Sequence, residues 1–528
     1  AGDITLEAVG NLDDILSGFI VAPLLPLELS ITRARVDLDA AAIRGRDVSI
    51  TVESDASDLF DDDDSPGAWG EPIQEWVGSI SLIAGVALSQ SSAELDINDS
   101  QIVGRNVSLS SEAVTDAEAT VLSTGAKGLF GAVAYGHSIP HSTVDIRGGS
   151  SIVTSDDLSV SSRADSDLSI IATQNLFGTS TTVEKRNITL AGAYSDVVSK
   201  ASLSSDSNLN VGDDLVVDVF ATREHNTQAN AAAYADGTLG IALNVAVHDS
   251  QIEALIDGDV TTGGDMTVDA ELETIKNDFN ATSTVGTGSI SGQFQATTLS
   301  ALRLQGFAAA FGGVFGTGSA VGGNSASMQR LLQAAAPAGA QNQARPNDFA
   351  TSAAVNVGIG FNDMEVRIGE GATVNVGGNL TLQGRVEEFP ETSAISFLNS
   401  SNQYAIGSSD RTYSQRETGI SGALTGAYFA NEIDVYVGSG ATVNVGGDMV
   451  IDSVATVPYH YQWAWDSRTD DFEVFRPSVV TDKLNFNVGI QNGFFTTWAE
   501  AIASAEQRAY GGMVNVLITD THNYAYIG

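Results

Sequence analysis

The sequence predicts an all-β protein, a parallel β-helix (β-solenoid) of about eight degenerate repeats of 51–69 residues, with loop and short-helix insertions. Three observations carry this: a recurring turn-strand motif, its spacing, and period-two alternation inside each unit. The motif is a Gly/Asp-rich turn leading into an apolar alternating strand. Its copies are GRDVSI (45–50), GRNVSL (104–109), SDDLSV (155–160), GDDLVV (212–217), GGDMTV (263–268), GGNLTL (377–382) and GGDMVI (446–451), and AGDITLEA (1–8) reads as an eighth. Repeats of this kind bury their apolar faces only by stacking on one another.

The steps between copies are 59 residues from Gly45 to Gly104, then 51 to Ser155, 57 to Gly212 and 51 to Gly263. The next, to Gly377, is 114, which is twice 57 and predicts a unit whose motif has been lost; the last, to Gly446, is 69. A constant motif with variable spacing predicts fixed rungs with loops inserted on one side.

Within a unit the pattern is that of strands. In EIDVYV (432–437), Ile433, Val435 and Val437 share one face and Glu432, Asp434 and Tyr436 the other; Val443, Val445, Met449 and Ile451 continue the apolar set after Gly/Asp turns. Short strands with two or three rungs per unit would give a rod of about 80–110 Å at about 4.8 Å per rung. The Ala/Gly/Val-rich stretches 128–136, 240–247 and 422–430 fit a tightly packed interior. Tandem β-sandwich domains are the alternative, although such domains need about 100 residues each.

Three insertions interrupt the pattern and divide the chain into solenoid repeats over 1–304, a Gly/Ala-rich insertion over 305–350 and further repeats over 351–528. The first, near 55–76, gathers Asp58, Asp61, Asp62, Asp63 and Asp64, hard oxygen ligands suited to Ca2+ but without the spacing of an EF-hand loop. A solvated acidic loop is the plainer reading of the same residues. The second carries helix formers from Ser327 to Ala335 ahead of Pro337. The third, near 458–478, concentrates Tyr459, Tyr461, Trp463 and Trp465, candidates for a protein or glycan contact, or for a local apolar cluster. Near the start, residues 13–30 read as a loop or short helix on the end of the stack.

Composition narrows the function classes. The net charge of −42, from 66 acidic against 24 basic residues, opposes binding to nucleic acid or an anionic membrane. No run of 18 or more apolar residues predicts membrane insertion. With no cysteine there is neither a disulfide framework nor a thiolate metal site. The six histidines are scattered; His137 and His141 flank Pro140, so they lack the helical spacing of a metal pair. Asp156–Asp157 and Asp213–Asp214 occupy equivalent turns and predict stacked ladders. No nucleophile elbow is present, and the reading is that the chain is not an enzyme.

Both ends fall inside a repeat. HNYAYIG (522–528) aligns with EVRIG (365–369) and DVYVG (434–438), copies that run on into a further turn and strand. The chain reads as a piece of a longer polypeptide. In the other reading its ends, Ala1, Gly2, Asp3 and Ile4 with Tyr524, Tyr526 and Ile527, complement one another between copies in a head-to-tail filament.

The G-[DN]-[LVM]-x-[LVI] turn-strand repeat, joined to units such as GATVNVGGNLTL, resembles the repetitive β-solenoid regions of giant bacterial surface proteins, the filamentous-haemagglutinin-like and large repetitive adhesins. The resemblance implies secretion to the bacterial cell surface, a right-handed solenoid, an extended fibre, and roles in adhesion, biofilm or a surface layer. The repeats here are longer than the coils of the simplest members, and the Ca2+-binding nonapeptide of toxin-like repeats is absent. The expected function is a structural or adhesive segment of a large extracellular fibrous or surface-forming protein. Its expected partners are further copies or neighbouring segments of the same protein, or a cell-surface glycan, with Ca2+ the only cofactor considered. The alternative is a β-helix that binds or cleaves polysaccharide.

Overall fold

The computed structural model describes residues 2–11, 27–56, 80–123, 129–174, 186–234, 238–286, 349–388, 390–399, 418–456, 497–505 and 508–528. They form a parallel β-helix of eight coils. Each of the first seven coils runs through sheet A, sheet B and a short strand of sheet C, and the described part of the eighth runs through sheets A and B. The first three coils are β1 (Ile4–Asn11), β2 (Leu27–Asp39) and β3 (Ala42–Arg44); β4 (Asp47–Ala56), β5 (Ile80–Asn98) and β6 (Gln101–Gly104); and β7 (Asn106–Ser123), β8 (Leu129–Arg147) and β9 (Ser151–Thr154). The fourth and fifth are β10 (Leu158–Gln174), β11 (Arg186–Leu203) and β12 (Asn208–Val211), then β13 (Leu215–Tyr234), β14 (Leu239–Ile256) and β15 (Asp259–Thr262). The sixth is β16 (Met266–Gly286), β17 (Phe349–Ile368) and β18 (Thr373–Val376). In the seventh the sheet A strand is split into β19 (Leu380–Glu387) and β20 (Pro390–Asn399), followed by β21 (Thr418–Val437) and β22 (Thr442–Val445). The eighth holds β23 (Met449–Thr456), β24 (Thr497–Ser504) and β25 (Arg508–Ile527).

Each sequence motif is the start of a sheet A strand, and its first apolar residue stacks on that of the next copy. Ile4 pairs with Val48, Val107 with Leu158, Leu158 with Leu215, Met266 with Leu380, and Leu380 with Met449. Other features of the motif also have a physical reason. A Cβ on Gly212 would collide with the carbonyl oxygen of Ser155 in the preceding coil, so only glycine allows the turns to stack this closely. The Asp/Asn position forms a ladder of side chain to backbone bonds between coils. Asp214 Oδ1 accepts from the Asp265 N–H (2.8 Å), Asp265 Oδ1 from Asn379 (2.7 Å) and Asn379 Oδ1 from Asp448 (2.9 Å). Asp157 and Asp214 stand one above the other in the same ladder.

Three expectations are corrected. First, each repeat is one coil and not two or three rungs: strands reach 21 residues, so one long circuit consumes the whole unit. At about 4.8 Å between neighbouring strands, eight coils rise only about 34 Å from first to last, while a 21-residue strand spans about 70 Å. Second, no unit is missing between Gly263 and Gly377. Val260 pairs directly with Val374, and the additional residues lie between β16 and β17. Third, residues 27–30 open β2 instead of a loop or helix. The rest of that stretch falls outside the described residues, as do the helix expected from Ser327 to Ala335 and almost all of the 305–350 insertion.

The coil has two unlike halves. Beside sheet C, all three sheets enclose an apolar core that includes Ile50, Leu95, Ile97, Leu109, Ile252 and Val366, each 1% exposed or less. Farther from sheet C, sheets A and B face each other directly, and alanines such as Ala87, Ala132, Ala229, Ala242, Ala246 and Ala354 line much of the interior, with Leu168, Ile170, Phe279 and Phe429 among them.

Candidate functional site

Strand periodicity fixes the outer face of sheet B. On β14 the buried residues are the even-numbered ones from Gly240 to Ile256, with Leu255 at the strand's end also buried. The apolar core beside sheet C takes Ile252 and Ile256, so the unbroken alternation turns Ile241, Leu243, Val245 and Val247 outward at the other end of the strand. Ala242, Asn244, Ala246 and His248 point inward there. The same parity holds on the neighbouring strands. Leu190 pairs with Leu243, Leu243 with Val355, Val355 with Leu424, and Leu424 with Val514, all on the outer face. The signal that finds them is the parity of the whole 18-residue strand.

The outer face changes character partway along the strands. Tyr194, Val247, Ile359 and Tyr428 form one column; the next holds Asp196 and Asp249 but Phe361 and Ala430, and on those last two strands the acids, Asp363 and Glu432, stand one outward position further. Past the border the face is charged and tied by ion pairs: Arg33–Glu94 (2.8 Å), Lys200–Glu253 (3.1 Å) and Arg367–Asp257 (2.8 Å). The apolar border perturbs its neighbours. Burial pushes the carboxyls of Asp249 and Asp363 above the ordinary range, with Asp196 adding to the first and Glu432 to the second. Burial pushes His137, edge-on to Tyr194 at 4.9 Å, below its usual value.

A second unusual feature is internal. Between the apolar core and the alanine-lined half runs a polar seam. Thr115 Oγ1 meets Ser138 Oγ (2.8 Å), Ser138 meets Ser166 (2.6 Å), and Ser166 meets His225 Nε2 (3.1 Å). His225 and His248 share one proton between their Nδ1 atoms, 2.7 Å apart, and His248 stacks on Phe279. Burial holds both rings well below the usual histidine value, and the Arg223 cation adds to this. Arg223 itself donates to Ser250, Thr274, Asn362 and Glu388, the last at 2.5 Å with both side chains fully buried. Asn277 and Asn362 also donate to Glu388.

This seam follows a backbone irregularity. The β13–β16 register shifts between Arg223 and Glu224, and the sheet A strand of the seventh coil breaks between Glu387 and Pro390. A bulge leaves ladder groups unpaired, and the buried polar side chains stabilise the interior beside it. With Arg223, His225, His248 and Glu388 all sealed from solvent, the cluster is a structural element of the bulge.

Several residues singled out in the sequence lie outside the described residues: Asp58, Asp61, Asp62, Asp63 and Asp64, Tyr459, Tyr461, Trp463 and Trp465, and Ala1. Asp3 receives Arg46 (2.7 Å), and Ile4 opens the edge strand of sheet A. Tyr524 and Tyr526 lie on the outer face of sheet B, Tyr526 stacked on Tyr436 with ring centres 5.0 Å apart. Ile527 continues the inward column of Val437 and is 67% exposed. These two sets occupy different sheets at opposite ends of the stack. Among the described residues, no group of three or more His, Asp or Glu side chains is placed to hold a metal ion. No described helix is long and apolar enough to cross a membrane. The chain matches no protein-family model, no curated protein and no solved structure.

Proposed function

We propose that this chain is a structural and adhesive segment of a large extracellular, fibrous or surface-forming protein of the kind its repeats resemble. The observation that supports this reading most is the use to which the repeats are put. The motif copies are spent on stacking one coil on the next: glycine for close approach at Gly212, Gly263, Gly377 and Gly446, Asp or Asn for the ladder, an aliphatic for the core. Three parallel ladders then link successive coils through dense backbone hydrogen bonding, which suits a body that spans distance and presents broad faces. The acidic surface opposes indiscriminate association of such bodies through their charged faces.

The test is immunogold labelling of intact source cells with an antibody raised against this chain, paired with a denaturing immunoblot. Label on the cell exterior and a band far above 54.8 kDa are expected. Label confined to the cell interior, with a band near 54.8 kDa, would overturn the reading.

A further inference from the structure

The outer face of the aliphatic half of sheet B is open to solvent. Leu424 is 40% exposed, Val514 52% and Val516 44%, while Ile241, Leu243, Val245 and Val247 are half-buried. With neighbouring strands about 4.8 Å apart and outward positions recurring about every 6.6 Å along them, the wall covers on the order of 900 Å². The largest apolar patch on a typical monomer is about 300–600 Å², whereas a stable interface needs about 800 Å² per partner. The wall therefore has the size of an interface and not of ordinary surface.

The geometry points to a second copy of this chain as the occupant, with the two aliphatic walls packed face to face about a two-fold axis parallel to the helix axis. A sheet face is matched by another with the same strand spacing, and stacked sheets lie about 10 Å apart. Charge selects the orientation. A two-fold along the strands would superpose the Asp249, Asp363 and Glu432 borders of both copies. A two-fold along the helix axis sends the charged halves out on opposite sides and buries only the aliphatic columns. The same acids, on a chain of net charge −42, oppose an anionic lipid surface at this face. The inference stands on sheet B alone and does not need the extracellular reading.

Sedimentation equilibrium of the purified full chain tests it. A species of twice 54.8 kDa is expected. The double variant Leu243→Asp/Leu424→Asp should weaken association by at least about tenfold, while Val216→Asp, on the outer face of sheet A, leaves it unchanged. Because the chain has no cysteine, Gly426→Cys gives a single thiol near the proposed axis, where a Cβ meets open space. A short bis-maleimide should link Gly426→Cys into dimers and leave Ser161→Cys, on sheet A, unlinked. A monomeric wild type, or a dimer that survives the double variant and links equally well through Ser161→Cys, overturns the proposal.

Discussion

The two halves of each coil solve the same packing problem in opposite ways. Beside sheet C three sheets leave a wide interior, filled by Ile, Leu, Val and Met, and the outer face of sheet B is charged. In the other half two sheets approach directly, and the inward positions of sheet B are mostly Ala, Ser, Thr and Asn, with Leu168, Ile170, Phe279 and Phe429 the large side chains between the sheets, while the outer face of sheet B is aliphatic. The difference teaches that apolar residues are not sorted here by hydrophobicity alone. The space between the sheets selects side-chain size, and an unbroken strand carries one parity through both halves.

The largest effect is expected where the halves meet. Arg223→Ala or Glu388→Ala leaves a buried charge unpaired and should cost about 3–5 kcal/mol in denaturant unfolding. The double replacement should cost less than the sum of the two, since neither charge is then left alone. Equal and additive losses would mean that the pair does not bridge the halves.

The comparison can be made on a single strand. Ile252→Ala, in the wide half, should lose about 2–5 kcal/mol. Ile241→Ala, outward in the thin half, should change stability by less than about 1 kcal/mol in the isolated chain. Equal losses would show that Ile241 is as buried as Ile252. The reverse substitution probes the narrow gap: Ala246→Leu should destabilise by about 1–3 kcal/mol through overpacking, read as a fall in melting temperature.

The gentlest probe is pH. His225 and His248 are neutral in the fold, chiefly because of burial, and titrate near the ordinary 6.5 once unfolded. The unfolded chain therefore binds more protons below that value, so their contribution is complete above pH 6.5 and declines as pH falls beneath it. Carboxyls raised by burial, among them Asp218 and Asp269, act in the opposite sense nearer their own range. The decline should thus be clearest from about pH 6.5 to about pH 5. A melting temperature that stays flat across that interval, or the same slope in a His225→Asn/His248→Leu variant, would remove the histidine pair as its cause.

Much of the fold was legible in the sequence because the repeat is a local signal. Val48, Val107, Leu158 and Leu215 follow the same turn in each copy, and they stack. The Asp ladder was legible for the same reason, since Asp157 and Asp214 hold equivalent places in their turns. Other features depended on partners distant in sequence. Glu388 meets Arg223 across 165 residues, and nothing near either residue announces the pairing. The 114-residue step was misleading because an insertion of about one repeat's length imitates a lost repeat.

By itself, then, the sequence determined the all-β class, the eight motif copies and the stacking of each on the next, because turn chemistry and period-two alternation act within a few residues. Tertiary structure decided that a repeat closes in one coil, that a polar seam follows the bulge, and which way the aliphatics face. The reason is that a strand of about 20 residues has one parity. The end with room for large side chains sets it, and the far end, with Val245 and Leu243, must follow.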